Sequence, residues 1–141
     1  MKRMKTYVGL GAVALAALML GACKSAPAAG TKEIQTQRTK DVVIVLLNQK
    51  GELAMGQNRF TIAFRSSSNN QPIDVGTVTV GSAMAMPGMA PMTAPIELEA
   101  AGSTGQFVAK SDFAMSGAWK FEVRWDGPAG RGTTSFNTNV R

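Results

Sequence analysis

The chain has 141 residues, with 15 basic and nine acidic side chains, one cysteine and no histidine. A single cysteine excludes an internal disulfide, and the lack of histidine leaves no obvious pair of nucleophile and general base, so an enzyme is not expected. The formal charge is +6, but the basic residues outside the N-terminus are scattered. They form no cluster of the kind that binds nucleic acid.

The first 22 residues have the features of a secretory signal peptide. Lys2, Arg3 and Lys5 precede an apolar run from about residue 8 to residue 20, which is shorter than the roughly 20 residues that a membrane span needs. The run ends in the sequence LGAC, which resembles the lipobox of bacterial lipoproteins. The resemblance implies cleavage after residue 22 and lipidation of Cys23, whose acyl chains (such as palmitate) anchor the protein in a membrane.

A lipidated Cys23 predicts a protein of the cell envelope. Lys24 in place of aspartate resembles Gram-negative lipoproteins of the outer membrane that face the periplasm, whereas a cell with one membrane would carry the protein on the outer face of its plasma membrane. The leader takes three of the 15 basic residues and no acidic ones, so the mature charge falls from +6 to +3. Nucleic acid is therefore not an expected partner.

Residues 23–40 are predicted to form the lipidated N-terminus and a flexible tether. They are small and polar, and Ile34 is their one large apolar residue, so they cannot bury enough surface to fold alone. The remaining residues, 41–141, have the length of one domain.

The pattern of this domain is that of β-strands. Residues 118–126, AWKFEVRWD, alternate apolar and charged side chains. In residues 59–65 the apolar Phe60, Ile62 and Phe64 fall on one face, with Thr61, Ala63 and Arg65 on the other. Residues 41–48, DVVIVLLN, are continuously apolar and fit a strand buried on both faces. Turn signals separate about seven such runs, and no helical period is evident. The fold class predicted is all-β, an immunoglobulin-like antiparallel β-sandwich of about seven strands.

An ordered set of motifs resembles the YtkA-like family, which is related to the FixH family. The set comprises Leu53, Gly56, Asn58 and Phe60 (L-x-x-G-x-N-x-F), Pro72 before a β-run, Met86-Pro87-Gly88-Met89, then Gly105 and Phe107, and finally Phe113, Met115, Gly117 and Trp119 (F-x-M-x-G-x-W). The resemblance implies an exported immunoglobulin-like domain without established enzymatic activity, often encoded beside metal-transport or oxidase-assembly genes. Family members often carry a histidine near the Met-Pro motif, and this chain has none.

Four methionines, Met84, Met86, Met89 and Met92, surround the Pro87-Gly88 pair. Proline and glycine favour a tight turn, which would fold the second pair of methionines back toward the first. Thioethers are soft, neutral ligands that select Cu(I) over zinc or calcium. The interpretation is a Cu(I) site, with Met115 as a further ligand if its turn lies at the same end of the sandwich.

Two other roles for these methionines remain open. Methionine fills irregular gaps, so the loop can plug the end of the sandwich, or it can form an adaptable surface for a partner. Met55 is predicted to be a core residue because it lies in a short strand beside Leu53.

The function predicted is a non-enzymatic, membrane-anchored lipoprotein that binds or hands over Cu(I). The alternative is a structural interaction module of a membrane complex for metal efflux or oxidase assembly, without metal. A third hypothesis is an envelope-stress or adhesion lipoprotein. The paired carboxylates Glu97 and Glu99 lie on one exposed strand face, where such charges normally serve solubility rather than acid–base catalysis.

Overall fold

The computed structural model describes residues 30–141, so the predicted signal peptide and Cys23 lie outside the described part. Eight strands and no helix occur in it, which confirms the all-β prediction and adds one strand to the seven or so expected. They are β1 (Lys32–Arg38), β2 (Val42–Asn48), β3 (Gly56–Ser66), β4 (Thr77–Met84), β5 (Met92–Ala100), β6 (Gln106–Phe113), β7 (Gly117–Gly127) and β8 (Gly130–Val140). Within residues 30–141 there is thus no helix that could span a membrane.

The additional strand, β1, lies in the segment predicted to be a tether. Residues 32–38 pair antiparallel with β2, with a register shift between Glu33 and Gln35. Ile34, at that shift, packs against the core. An edge strand needs few inward side chains because its ladder of backbone hydrogen bonds also holds it, so its composition can be as polar as that of a linker. The tether prediction is therefore wrong for residues 32–38.

The strands are all antiparallel and follow the order β1-β2-β3-β6-β5-β4-β7-β8. β5 belongs to both layers, because Met92–Pro95 pair with β4 and Ile96–Ala100 pair with β6. Pro95 has no N–H to donate, which suits it to the point where the ladder changes partner. The outer strands of the sheet, β1 and β8, approach each other, so the two layers form a sandwich that is nearly a closed barrel.

The core between the layers is aromatic. Trp119, Phe121 and Val123 of β7 are completely buried, which confirms the inward face predicted from the alternation of β7. The ring of Phe113 meets that of Trp119 edge-on at 5.0 Å between centroids, and Phe121 stacks on Phe136 at 5.8 Å. Such pairs contribute about 0.5–1.5 kcal/mol each beyond the area that they bury.

The strand β2 is buried on both faces, as its apolar run predicts. Ile44 and Leu46 belong to the core between the layers. Val43, Val45 and Leu47 point the other way and form a second, smaller apolar cluster with Ala63 of β3. β2 can be apolar throughout because it lies inside the sheet between β1 and β3.

The antiparallel order determines which loops share an end of the sandwich. The ladder pairs Met84↔Met92, Gly56↔Phe113 and Gly117↔Val140 all stand at one end. The connections 49–55, 85–91 and 114–116 therefore lie together there, with Arg141. The connections 39–41, 67–76, 101–105 and 128–129 lie at the opposite end.

Candidate metal site at the methionine end

All six methionines among residues 30–141 lie at the same end of the sandwich, called the methionine end below. They are Met55 before β3, Met84 at the end of β4, Met86 and Met89 in the following turn, Met92 at the start of β5 and Met115 between β6 and β7. The five residues predicted as ligands are thus brought to one end, because the turn that carries Met115 lies at the same end as the other four. Met55 is an unexpected sixth member.

Met84 and Met92 form the inner part of the methionine end. They stand directly opposite each other in the β4–β5 ladder, and both are half-buried against the core. Gly117 leaves the space that Met84 occupies: a Cβ at position 117 would lie 2.6 Å from Met84 Cε and 3.5 Å from its sulfur. The thioether of Met84 therefore extends over the first residue of β7.

The Pro87-Gly88 pair forms the predicted turn. The N–H of Met89 donates to the carbonyl of Met86 over 3.1 Å, and Gly88 has the positive φ, 72°, that glycine tolerates best. The turn leaves Met86 half-buried and Met89 exposed over 65% of its surface. Its two methionines thus differ in access to solvent.

The prediction that Met55 belongs to the core is wrong, since 63% of the residue is exposed. Leu53 is the buried residue of this segment. The side chain of Asn58, in β3, holds the backbone of Ala54, which lies between Leu53 and Met55. Asn58 accepts from the N–H of Ala54 at 3.0 Å and donates to its carbonyl at 2.6 Å. This local hydrogen-bonded loop breaks the alternation of a strand, so Met55 does not share the face of Leu53.

The family motifs position the turns that carry methionines. In L-x-x-G-x-N-x-F, Asn58 fixes the loop of Met55. In F-x-M-x-G-x-W, the buried Nε1–H of Trp119 donates to the carbonyl of Met115 over 3.0 Å. The same residues therefore serve both the core and the geometry of the methionine end.

The donor atoms at the methionine end are neutral sulfurs. No group of three or more histidine, cysteine, aspartate or glutamate side chains suited to a metal occurs among residues 30–141. The ion pair at this end, Arg141 with Glu52 at 3.2 Å, is mutually compensated. Such a donor set fits a soft monovalent ion rather than a hard divalent one.

The two paired carboxylates lie on the exposed face of β5, and one of them is ion-paired. Glu97 and Glu99 are both exposed, as predicted for one face of β5. The ammonium of Lys110 lies 2.8 Å from Glu99, and its hydrogen bond and charge lower the pKa of that carboxyl.

Fold and site together define a β-sandwich domain with a methionine-lined end. The YtkA-like family model matches residues 26–124, and the chain belongs to the YtkA-like family. No curated protein matches the chain in sequence.

Solved structures of low sequence identity are similar to this chain. A DUF4426 family protein from Pseudomonas aeruginosa PAO1 is similar at 18% identity with a TM-score of 0.52, over 75% of this chain and 96% of its own. PcoC, a methionine-rich copper resistance protein from Escherichia coli, is similar at 13% identity with a TM-score of 0.46, over 64% and 88%. A copper-bound variant of FetP from uropathogenic Escherichia coli strain F11 is similar at 6% identity with a TM-score of 0.45, over 77% and 96%.

Proposed function

We propose that this protein is a non-enzymatic Cu(I)-binding lipoprotein of the cell envelope and that Met84 and Met92, within the methionine end, hold the ion at rest. The observation that supports the proposal is the gathering of six thioethers from three separate connections and two strand ends at one end of the fold. Met84 and Met92 are the best-placed pair. Residues directly opposite in an antiparallel ladder have Cβ atoms about 4.5–5.5 Å apart, and the flexible methionine side chain can bring both sulfurs to one ion.

Exchange of the inner pair tests the metal proposal. In the chain from residue 23, with Cys23→Ser to remove the lone thiol, Met84→Leu with Met92→Leu should weaken Cu(I) binding by more than about tenfold. Loss of a supporting partner alone typically costs 10–100-fold in metal affinity. Affinity is measured by competition with a coloured Cu(I) chelator under reducing conditions, and Zn(II) in excess should not displace the ion.

Leucine conserves the volume of methionine, so the double variant should remain folded, with a loss below about 1.5 kcal/mol for each exchange. Urea unfolding of both proteins is the control. Equal Cu(I) affinities for the parent and the double variant, or no binding by the parent, would contradict the metal proposal.

The second candidate is an interaction module without metal, docking on a membrane complex for metal efflux or oxidase assembly. It is favoured by the exposure of Met55, Met89 and Met115, because clustered apolar side chains on a surface often mark a contact with another protein. The half-burial of Met84 and Met92 against the core equally suits a packing role. A negative titration with an intact fold would select this candidate.

Anchoring through Cys23 is the part of the proposal that places the protein in the envelope. Mass spectrometry of the N-terminal peptide from the natural host should show cleavage before Cys23 and a diacylglyceryl or triacylated cysteine. The Cys23→Ser protein should move from the membrane to the soluble fraction, because two acyl chains make a stable anchor and none remain. An unmodified Cys23 in the mature chain would refute the anchor and leave the metal proposal to its own test.

A further inference from the structure

The methionines of the methionine end fall into two groups that differ in access to solvent. Met84 and Met92 are half-buried against the core. Met55, Met89 and Met115, called the exposed triad below, are 63%, 65% and 40% exposed. These three are the large hydrophobic residues classed as exposed within residues 30–141, and they come from three different connections between strands.

The backbone holds each member of the exposed triad in place. The N–H of Met55 donates to the carbonyl of Arg141 over 2.6 Å, and that of Met89 to Met86 over 3.1 Å. The carbonyl of Met115 accepts from the buried indole of Trp119. The fold therefore holds the backbone at these three positions, and their side chains lie at the surface.

We propose that the exposed triad is the transfer route of the Cu(I) site, passing the ion between the inner pair and a thioether ligand of another protein. The inference rests on the proposed function. Each step is a ligand exchange in which one Cu–S bond forms as another breaks, and copper stays Cu(I) throughout. The thioethers carry no proton and no charge, so no proton or electron has to move with the ion.

A route and a binding site respond differently to the loss of ligands. A ligand used only in passing stabilises the transition state and leaves the loaded and empty end states unchanged. Its removal slows loading and unloading by the same factor and leaves the affinity as it was. Removal of a ligand of the resting site changes the affinity itself.

The test compares two variants in the chain from residue 23 with Cys23→Ser. The triad variant carries Met55→Leu, Met89→Leu and Met115→Leu, and the inner variant carries Met84→Leu and Met92→Leu. Leucine keeps the surface apolar, so only sulfur is removed. Transfer of Cu(I) to and from a dansyl-labelled synthetic peptide with three methionines is followed by stopped-flow fluorescence, and affinity is measured by chelator competition.

The triad variant should transfer Cu(I) at least about tenfold more slowly in both directions with an unchanged affinity, and the inner variant should lose affinity. Unchanged transfer rates in the triad variant would overturn the inference, and so would a loss of affinity in that variant, which would make the triad part of the resting site. A parent protein that does not bind Cu(I) would instead refute the proposed function on which the inference rests.

Discussion

The Trp119→Ala variant should lose about 3–5 kcal/mol of its free energy of unfolding, the usual cost of removing a large buried aromatic side chain. Trp119 is completely buried and lies edge-on against Phe113 at 5.0 Å, so its loss leaves a cavity between the two layers. Domains of this size are commonly stable by only 5–15 kcal/mol. The measurement is urea unfolding of both proteins followed by circular dichroism.

Trp119→Phe is the matched control because it keeps an aromatic ring against Phe113 but removes the indole N–H. That N–H donates to the carbonyl of Met115, and a lost hydrogen bond of this kind costs about 1 kcal/mol. The phenylalanine variant should therefore retain most of its stability. Equal losses in the two variants would show that the hydrogen bond to Met115, and not the filling of the core, holds this end together.

The Gly105→Ala variant should lose about 3 kcal/mol or more, because two separate costs add at this position. Gly105 has φ of 67°, a region that costs an L-residue roughly 1–2 kcal/mol. A Cβ there would also overlap the carbonyl oxygen of Ile73 and lie 2.8 Å from that of Phe64. Both obstacles are backbone atoms, and forced shifts of a packed structure typically cost about 1–3 kcal/mol.

Gly102→Ala separates the two costs. Gly102 has a similar φ, 76°, in the same connection, but a Cβ there would meet nothing within 4 Å. Its loss should be limited to about 1–2 kcal/mol, again by urea unfolding. If Gly105→Ala cost no more than Gly102→Ala, the close approach of the backbone at Gly105 would be disproved. Position 105 lies at the end opposite the methionines, so Cu(I) affinity of the folded fraction should not change.

Some strands could be predicted because their pattern is local. β7 alternates apolar and charged side chains, and the alternation alone gives its inward face of Trp119, Phe121 and Val123. β2 is apolar throughout and lies inside the sheet. β1 has no such pattern, because it lies at the edge of the sheet, where Ile34 alone of its large side chains needs to point inward.

The candidate site was predicted less completely because it depends on long-range pairing. The turn of Met86 to Met89 follows from Pro87 and Gly88, which are local signals. The placement of Met115 at the same end as that turn follows from the pairing of β4 with β7, which no local pattern specifies. Spacing alone places Met55 in the core, because it does not reveal the hydrogen bonds of Asn58 to Ala54 that break the alternation.

The starting point of β1 has a consequence for orientation. Lys32, the first residue of β1, pairs with Asn48, and its Cβ lies near Gly51 in a connection of the methionine end. If Cys23 carries the proposed lipid, nine peptide units separate the bilayer from Lys32, a reach of at most about 30 Å. The methionine end would then be the end of the sandwich nearest its point of attachment to the membrane.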